Sequence, residues 1–501
     1  MPWLWLVAAA VGLLVFLAVV DITQKKQAVR RNFPLAGRLR YILERIGPEL
    51  RQYIVTSNDE ERPFSRDQRR WVYSAAKGEN TYFGFGTDNN LTEPGYPIFR
   101  HAAFPYRPTK VDDWSPIPVA KIMGEWRQRS GAFRPQSVVN ISAMSFGSLS
   151  GRAVESLNRG AATAGCWHNT GEGGISVHHR HGGDLVLQLG TGYFGARGRD
   201  GAFDLSVLES LVDGAPVKAI EIKLSQGAKP GLGGVLPGGK VTKEIATARG
   251  VTIGETVHSP AHHEQFSTVG ELIGFVERVA DATGLPVGIK SAVGQREFWH
   301  ELADEMVSTG QGPDFIGIDG GEGGTGAAPL VFSDHVAMLF RAGFAEVFSA
   351  FAQRGLHEQI VWIGSGKLGF PGEALVAMGL GADAVALARE PLMAIGCIQA
   401  QRCHTGHCPT GVATQSKWLM RGLDPDDKSA RVANYIRELR HGILQLTHAC
   451  GQSHPAMVGG ELIELLGSTT GTEGLYSHFG YDPRWFGGAR QRLSDVAELM
   501  G

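Results

Sequence analysis

Cysteine is scarce, with five residues in a chain of 501. That is too few to staple a fold of this size, so a disulfide framework is excluded. Cys166 and Cys450 have no close partner in sequence and read as small buried apolar residues. The other three crowd together at Cys397, Cys403 and Cys408, which suggests metal in a reducing compartment. An excess of one charge is missing as well. Lys and Arg number 48 against 50 Asp and Glu, for a formal net charge of -2. Such a chain has no basic field to neutralise phosphates, and no nucleic-acid partner is expected. No repeat of roughly 20 to 50 residues and no low-complexity tract is present, which sets aside solenoids and propellers.

A long apolar run opens the chain, Trp3 to Val20, close in length to the ~30 Å hydrocarbon core of a bilayer. Asp21 ends it, and Lys25, Lys26, Arg30 and Arg31 follow at once. No positive segment precedes the run and no small-x-small cleavage site follows it, so residues 1–22 read as a membrane anchor rather than a signal peptide. The basic flank places the chain after it in the cytoplasm, single-pass at the inner membrane. Residues 23–130 read as a helical and irregular module. Leu39, Ile42, Leu43, Ile46, Leu50 and Ile54 mark an amphipathic helix over Leu39 to Val55, interrupted near Pro48, followed by an aromatic-, Pro- and Gly-rich stretch through Tyr106.

From Val138 onward short β-rich runs alternate with helical stretches: 139–146, 166–170, 219–224, 287–293, 315–319, 360–364 and 384–388, with one poorly marked strand within 182–194. This alternation predicts an α/β fold, a parallel (β/α)8 TIM barrel over residues 131–425, with a helical tail over 426–501. Function is then expected at the C-terminal strand ends, which carry Ser145, Glu172, Lys223, Lys290, Asp319, Ser365 and Arg389.

Three kinds of motif carry chemistry. Cys397, Cys403 and Cys408, followed by Pro409, lie on a loop over 397–408. Thiolates so placed can hold an iron–sulfur cluster, three ligands suiting three irons better than four. Structural zinc, with His404 or His407 as fourth ligand, is the alternative. In IVWIGSGKLG a β run enters Gly364, Ser365, Gly366 and Gly369. Alone it imitates a dinucleotide fingerprint, with Asp383 at a tolerable distance for a ribose. Its place late in the barrel, before the Gly381 to Arg389 run, better fits a phosphate site with Arg389 as counter-charge. Glycine-rich loops at successive strand ends (NTGEGG, IKLSQGAKPGLGG, DGGEGGTGAAP) add Glu172, Lys223 and Lys229.

With SAMSFGSLS (Ser142–Ser150) and CHTGHCPTGVATQ, these motifs resemble, in order, the flavin-binding synthase domain of glutamate synthase and its short bacterial and archaeal relatives. The resemblance is strong over residues 134–415. It implies FMN at the barrel mouth, with Ser142, Met144, Ser145, Asp319, Gly320, Gly364, Ser365, Gly366, Gly381 and Arg389 as cofactor contacts, and a [3Fe-4S] cluster on Cys397, Cys403 and Cys408. Catalytic roles fall to Glu172, Lys223 and Lys290, and substrate binding to Gln226, Lys229 and Arg249. The implied reaction is reductive amination of 2-oxoglutarate or a related 2-oxo acid by ammonia. Electrons are expected from a separate ferredoxin or flavoprotein reductase subunit, and ammonia free or from a separate glutaminase. Where the long enzymes read GEGGQLP this chain reads GLGGVLP, placing Leu232 and Val235 where they have Glu and Gln. A barrel flavoenzyme acting on a different small acid is therefore a second reading, and a membrane-bound electron relay or interaction protein a third.

Overall fold

Short, mostly buried runs of two to seven residues close on one another to form the centre of the protein. In the computed structural model these are β1 (Val139–Ile141), β2 (His168–Asn169), β3 (Leu185–Leu189), β4 (Val217–Lys223), β5 (Val287–Ser291), β6 (Phe315–Asp319), β7 (Val361–Ser365) and β8 (Ala384–Leu387), β2 being the shortest at two residues. They pair in parallel in that order, and β8 returns to β1 through Val385 and Val139, so the barrel is closed. The structure describes residues 2–54, 61–82, 84–108, 116–468 and 471–489, with 496 and 500. The poorly marked strand is β3, wholly buried like β5, β6 and β7. Strands covered on both faces lack polar alternation, which is why β3 carried little periodic signal.

The C-terminal helix Pro425–Ala449 starts on Asp424, whose side chain accepts from the Asp426 N–H, with Pro425 in the first turn. It packs along Gly151–Ala164, the helix after β1, and along Arg66–Lys77, which begins in a Ser65/Gln68 capping box. The N-terminal module and the C-terminal tail, distant in sequence, share a small antiparallel sheet in which Pro97–Phe99 pairs with Ile463–Leu466. The rest of the tail beyond residue 489, like Val55 at the end of the expected amphipathic helix, lies almost wholly outside the described residues.

The apolar N-terminal run is a helix, Pro2–Thr23, and its membrane-length window is not buried against the rest of the protein. The amphipathic helix spans Ala36–Ile54 and continues through Pro48 instead of breaking there. Proline removes one N–H from the run, and helical turns on both sides absorb the loss. Asp21 joins the two helices, its buried carboxylate accepting from Arg30 at 2.6 Å, Arg38 at 2.8 Å and the Leu35 N–H at 3.0 Å. Residues between them dock on the segment after Cys408, where the Asn32 amide donates to the carbonyls of Pro409 (3.0 Å) and Leu419 (2.8 Å).

Candidate active site

Lys223 ends β4, and its ammonium lies 2.9 Å from Glu172 Oε1 on the loop after β2. Gln226 and Lys229, on the loop after β4, line the same cleft. The Lys229 ammonium donates to the Gly233 carbonyl at 3.1 Å. Arg249 closes one side from the end of helix Lys243–Arg249, its guanidinium 5.1 Å from the Phe194 ring and 3.3 Å from the Phe146 carbonyl. Arg249 is only 5 % exposed, yet among the described residues its Nε has no hydrogen-bond partner, the state of a cation placed for an anionic ligand. Burial works against the Glu172 carboxylate, but the charges of Lys223, Lys229 and Arg249 outweigh it and hold the group below its ordinary range. Burial, helped by the charge of Lys223, pushes the Lys229 ammonium down.

Inside the barrel, Lys290 on β5 lies 3.8 Å from Asp319 at the end of β6. Burial alone would push the Lys290 ammonium down, but Asp319, Glu221 and Glu172 hold it above its usual range, so it is a fixed cation. Sequence reasoning passed over Glu221, which is 4 % exposed and accepts from Gln188 at 2.6 Å and Asn169 at 2.9 Å. The available signal was a carboxylate in the middle of the apolar strand VKAIEIK. Asp319 Oδ2 accepts from the Gly227 N–H at 3.0 Å, joining the loops after β4 and β6. A Cβ on Gly227 would lie 1.9 Å from the Gly320 carbonyl oxygen. Gly227→Ala is therefore expected to force these loops apart and cost about 1 to 3 kcal/mol of stability, read from the urea midpoint. A midpoint equal to that of the parent would contradict this geometry.

At the far side of the mouth, Gly364, Ser365 and Gly366 top β7, and the Ser365 carbonyl accepts from the Gly320 N–H at 2.8 Å. Arg389, just past β8, donates to the Glu322 carbonyl and lies over the Phe64 ring at 4.8 Å. Lys367 approaches the same ring at 5.3 Å, and burial followed by the charge of Arg389 pushes its ammonium down. Two crowded cations beside a glycine-rich turn suit a phosphate. Lys367 stands in the GSGKLG motif and was not singled out from sequence, while Phe64 gave no signal because it arrives from the distant N-terminal module. Ser142 lines the barrel interior with Lys290, and Met144 and Ser145 are buried on the loop after β1.

Gly381 is a correction. It precedes β8, so it lies at the opposite end of the barrel, where a Cβ would strike the Phe348 ring at 2.5 Å. Asp383 lies there too, 3.0 Å from Lys121, and it accepts from the Trp362 N–H, which removes it as a ribose contact. Val235 is exposed in a two-stranded ribbon opposite His258, whereas Leu232 lines the cleft.

The cysteine loop meets the mouth through Gly326, where a Cβ would come within 2.9 Å of Cys403 Cβ. Cys408 is buried, Cys397 partly buried and Cys403 exposed. Gln399 and Gln401 both hold φ of +54°, strain that persists only where the surroundings dictate it. Burial, opposed by a backbone bond at Gln399 and reinforced by Cys408 and Cys403, pushes the Cys397 thiol up to about 12. Such a sulfur becomes a thiolate when a metal takes the place of its proton. Among the described residues, Cys397, Cys403 and Cys408 do not form a set whose donors all lie within 4.8 Å of one another, with or without His404 or His407. A single tetrahedral zinc would draw its sulfurs to about 3.8 Å. As expected, Cys166 and Cys450 are buried away from the loop.

Comparison with known proteins agrees with this arrangement. The model described as "Conserved region in glutamate synthase" matches residues 121–453. The glutamate synthase large subunit-like protein YerD of Bacillus subtilis is 38 % identical, over 90 % of this chain and 92 % of its own length. The archaeal-type glutamate synthase [NADPH] of Thermotoga neapolitana and the archaeal glutamate synthase [NADPH] of Methanocaldococcus jannaschii are each 36 % identical over 62 % of this chain, which spans 59 % of theirs. The chain, a closed eight-stranded barrel with its charged groups gathered at one mouth, belongs to the glutamate synthase family of oxidoreductases.

Proposed function

We propose that this protein is a membrane-attached enzyme that reductively aminates 2-oxoglutarate or a related 2-oxo acid with ammonia, using FMN and a [3Fe-4S] cluster. One observation carries the reading: Lys223, Lys229 and Arg249 converge on a single partly buried carboxylate, Glu172, at the mouth of the barrel. The residues present fit the cofactors. Arg389, Lys367 and the Gly364–Gly366 turn suit the flavin phosphate, and three thiols on a strained loop suit the cluster. Bound there, reduced FMN supplies hydride and the cluster supplies single-electron entry from a separate donor.

The chain's own groups do the rest. Arg249, with its unpartnered Nε, and Lys229 bind and orient the carboxylates of the acid. Lys290, fixed as a cation by Asp319 and Glu221, provides positive charge toward the ring. Glu172, held as a carboxylate, takes the proton that the nitrogen loses as it adds to the 2-oxo carbon. Two features support membrane attachment: the unburied apolar helix Pro2–Thr23, and the stripe of Leu39, Ile42, Leu43 and Ile46 exposed on the helix that follows.

The test uses the full chain, purified in detergent without oxygen. Its spectrum should show flavin, with iron in about threefold excess over it. Photoreduced flavin should reoxidise only when ammonia and a suitable 2-oxo acid are both present. Flavin that stays reduced across a panel of such acids would end the amination reading. Leu232, 39 % exposed in the cleft, favours a second reading, an acid less polar than 2-oxoglutarate. The same panel separates the two by which acid reoxidises the flavin fastest.

A further inference from the structure

Away from the mouth, one group of ligating side chains has no part in the chemistry above. Glu155 lies one turn into helix Gly151–Ala164, His178 in the short turn Val177–His179, and His181 two residues beyond that turn. One ligand atom from each lies within 4.8 Å of the other two, and all three residues are half-buried. Their supports are already in place. The His178 ring packs on Phe146 at 4.9 Å, and its Nε2 lies 2.6 Å from Glu244 Oε1. The His181 backbone N–H donates to Asn158 Oδ1 at 2.9 Å. A carboxylate on one nitrogen of an imidazole is the partner that orients metal-bound histidines. Arg159 is 3.5 Å from Glu155 but also 2.5 Å from Asp426, so it keeps a carboxylate when Glu155 turns to a cation.

We propose that Glu155, His178 and His181 form a binding site for a divalent ion of the zinc class on the flank of the barrel, separate from the cysteine loop. Two imidazoles and one carboxylate select zinc-like ions over magnesium or calcium, which take oxygen ligands. Glu244 and Arg249 stand near opposite ends of the helix Lys243–Arg249. An ion that fixes His178 against Glu244 therefore also restrains the helix that carries Arg249 to the mouth.

The test is equilibrium dialysis of the flavin- and cluster-loaded full chain against zinc alone, with X-ray absorption at the zinc edge. The parent should bind one more zinc per chain than His178→Ala/His181→Ala, with only nitrogen and oxygen neighbours at about 2.0 to 2.2 Å. Glu155→Gln should weaken that zinc at least about tenfold with flavin content unchanged, which decides the matter should the double variant not fold. Equal zinc in the parent and Glu155→Gln would overturn the site. So would sulfur neighbours at about 2.3 Å, which assign the zinc to the cysteines.

Discussion

Glu172→Gln is expected to lower turnover in the proposed amination by about 10²- to 10⁴-fold, the usual contribution of a positioned proton-transfer group, while the visible spectrum stays that of the parent. The amide keeps the shape of the side chain and its contact with Lys223, but it cannot take a proton. Steady-state rates with spectra of the same preparation check this, and turnover within threefold of the parent would remove Glu172 from the chemistry. The substitution also has a pH signature. Because the folded carboxylate is held below its ordinary value of 4.5, its ionisation contributes stability that is fully present above that value and is lost as pH falls through the folded one. Urea unfolding of the parent should therefore weaken on acidification more steeply than that of Glu172→Gln. Parallel acid limbs would mean that Lys223, Lys229 and Arg249 do not stabilise this charge.

Lys290→Met should cost about 3 to 5 kcal/mol, because it leaves buried carboxylates without their cation. Asp319 is 8 % exposed and, among the described residues, would keep one hydrogen bond, from the Gly227 N–H at 3.0 Å, and the more distant charge of Arg389, whereas Glu221 would retain Asn169 and Gln188. Most of the damage should therefore lie at Asp319, and Lys290→Met/Asp319→Asn should recover much of the loss. Urea midpoints of the two variants decide it. A single variant within about 1 kcal/mol of the parent would show that this pair is hydrated rather than buried.

Much of the barrel was legible because its signals are local. Six of the seven expected runs match their strands within two residues at each end, the first overshoots β1 by five, and loop chemistry at the strand ends identified the mouth. Gly381 shows where that reading stops. It lies eight residues before Arg389, but strand β8 runs between them and carries the two to opposite ends of the barrel. Proximity in sequence cannot reveal which rim a residue occupies until the strand bounds are known.

The amino-acid sequence by itself determined the alternating elements, the glycine-lined loops, the three clustered thiols and the apolar N-terminal helix, because each depends on residues within a turn or a strand of one another. Only the tertiary structure decided that Phe64 lies under Arg389 and Lys367, that Glu221 faces Lys290, that Glu172 is caught among three cations, and that Glu155 meets His178 and His181. These are contacts between distant segments, set by barrel closure and helix packing, and no local periodicity encodes them.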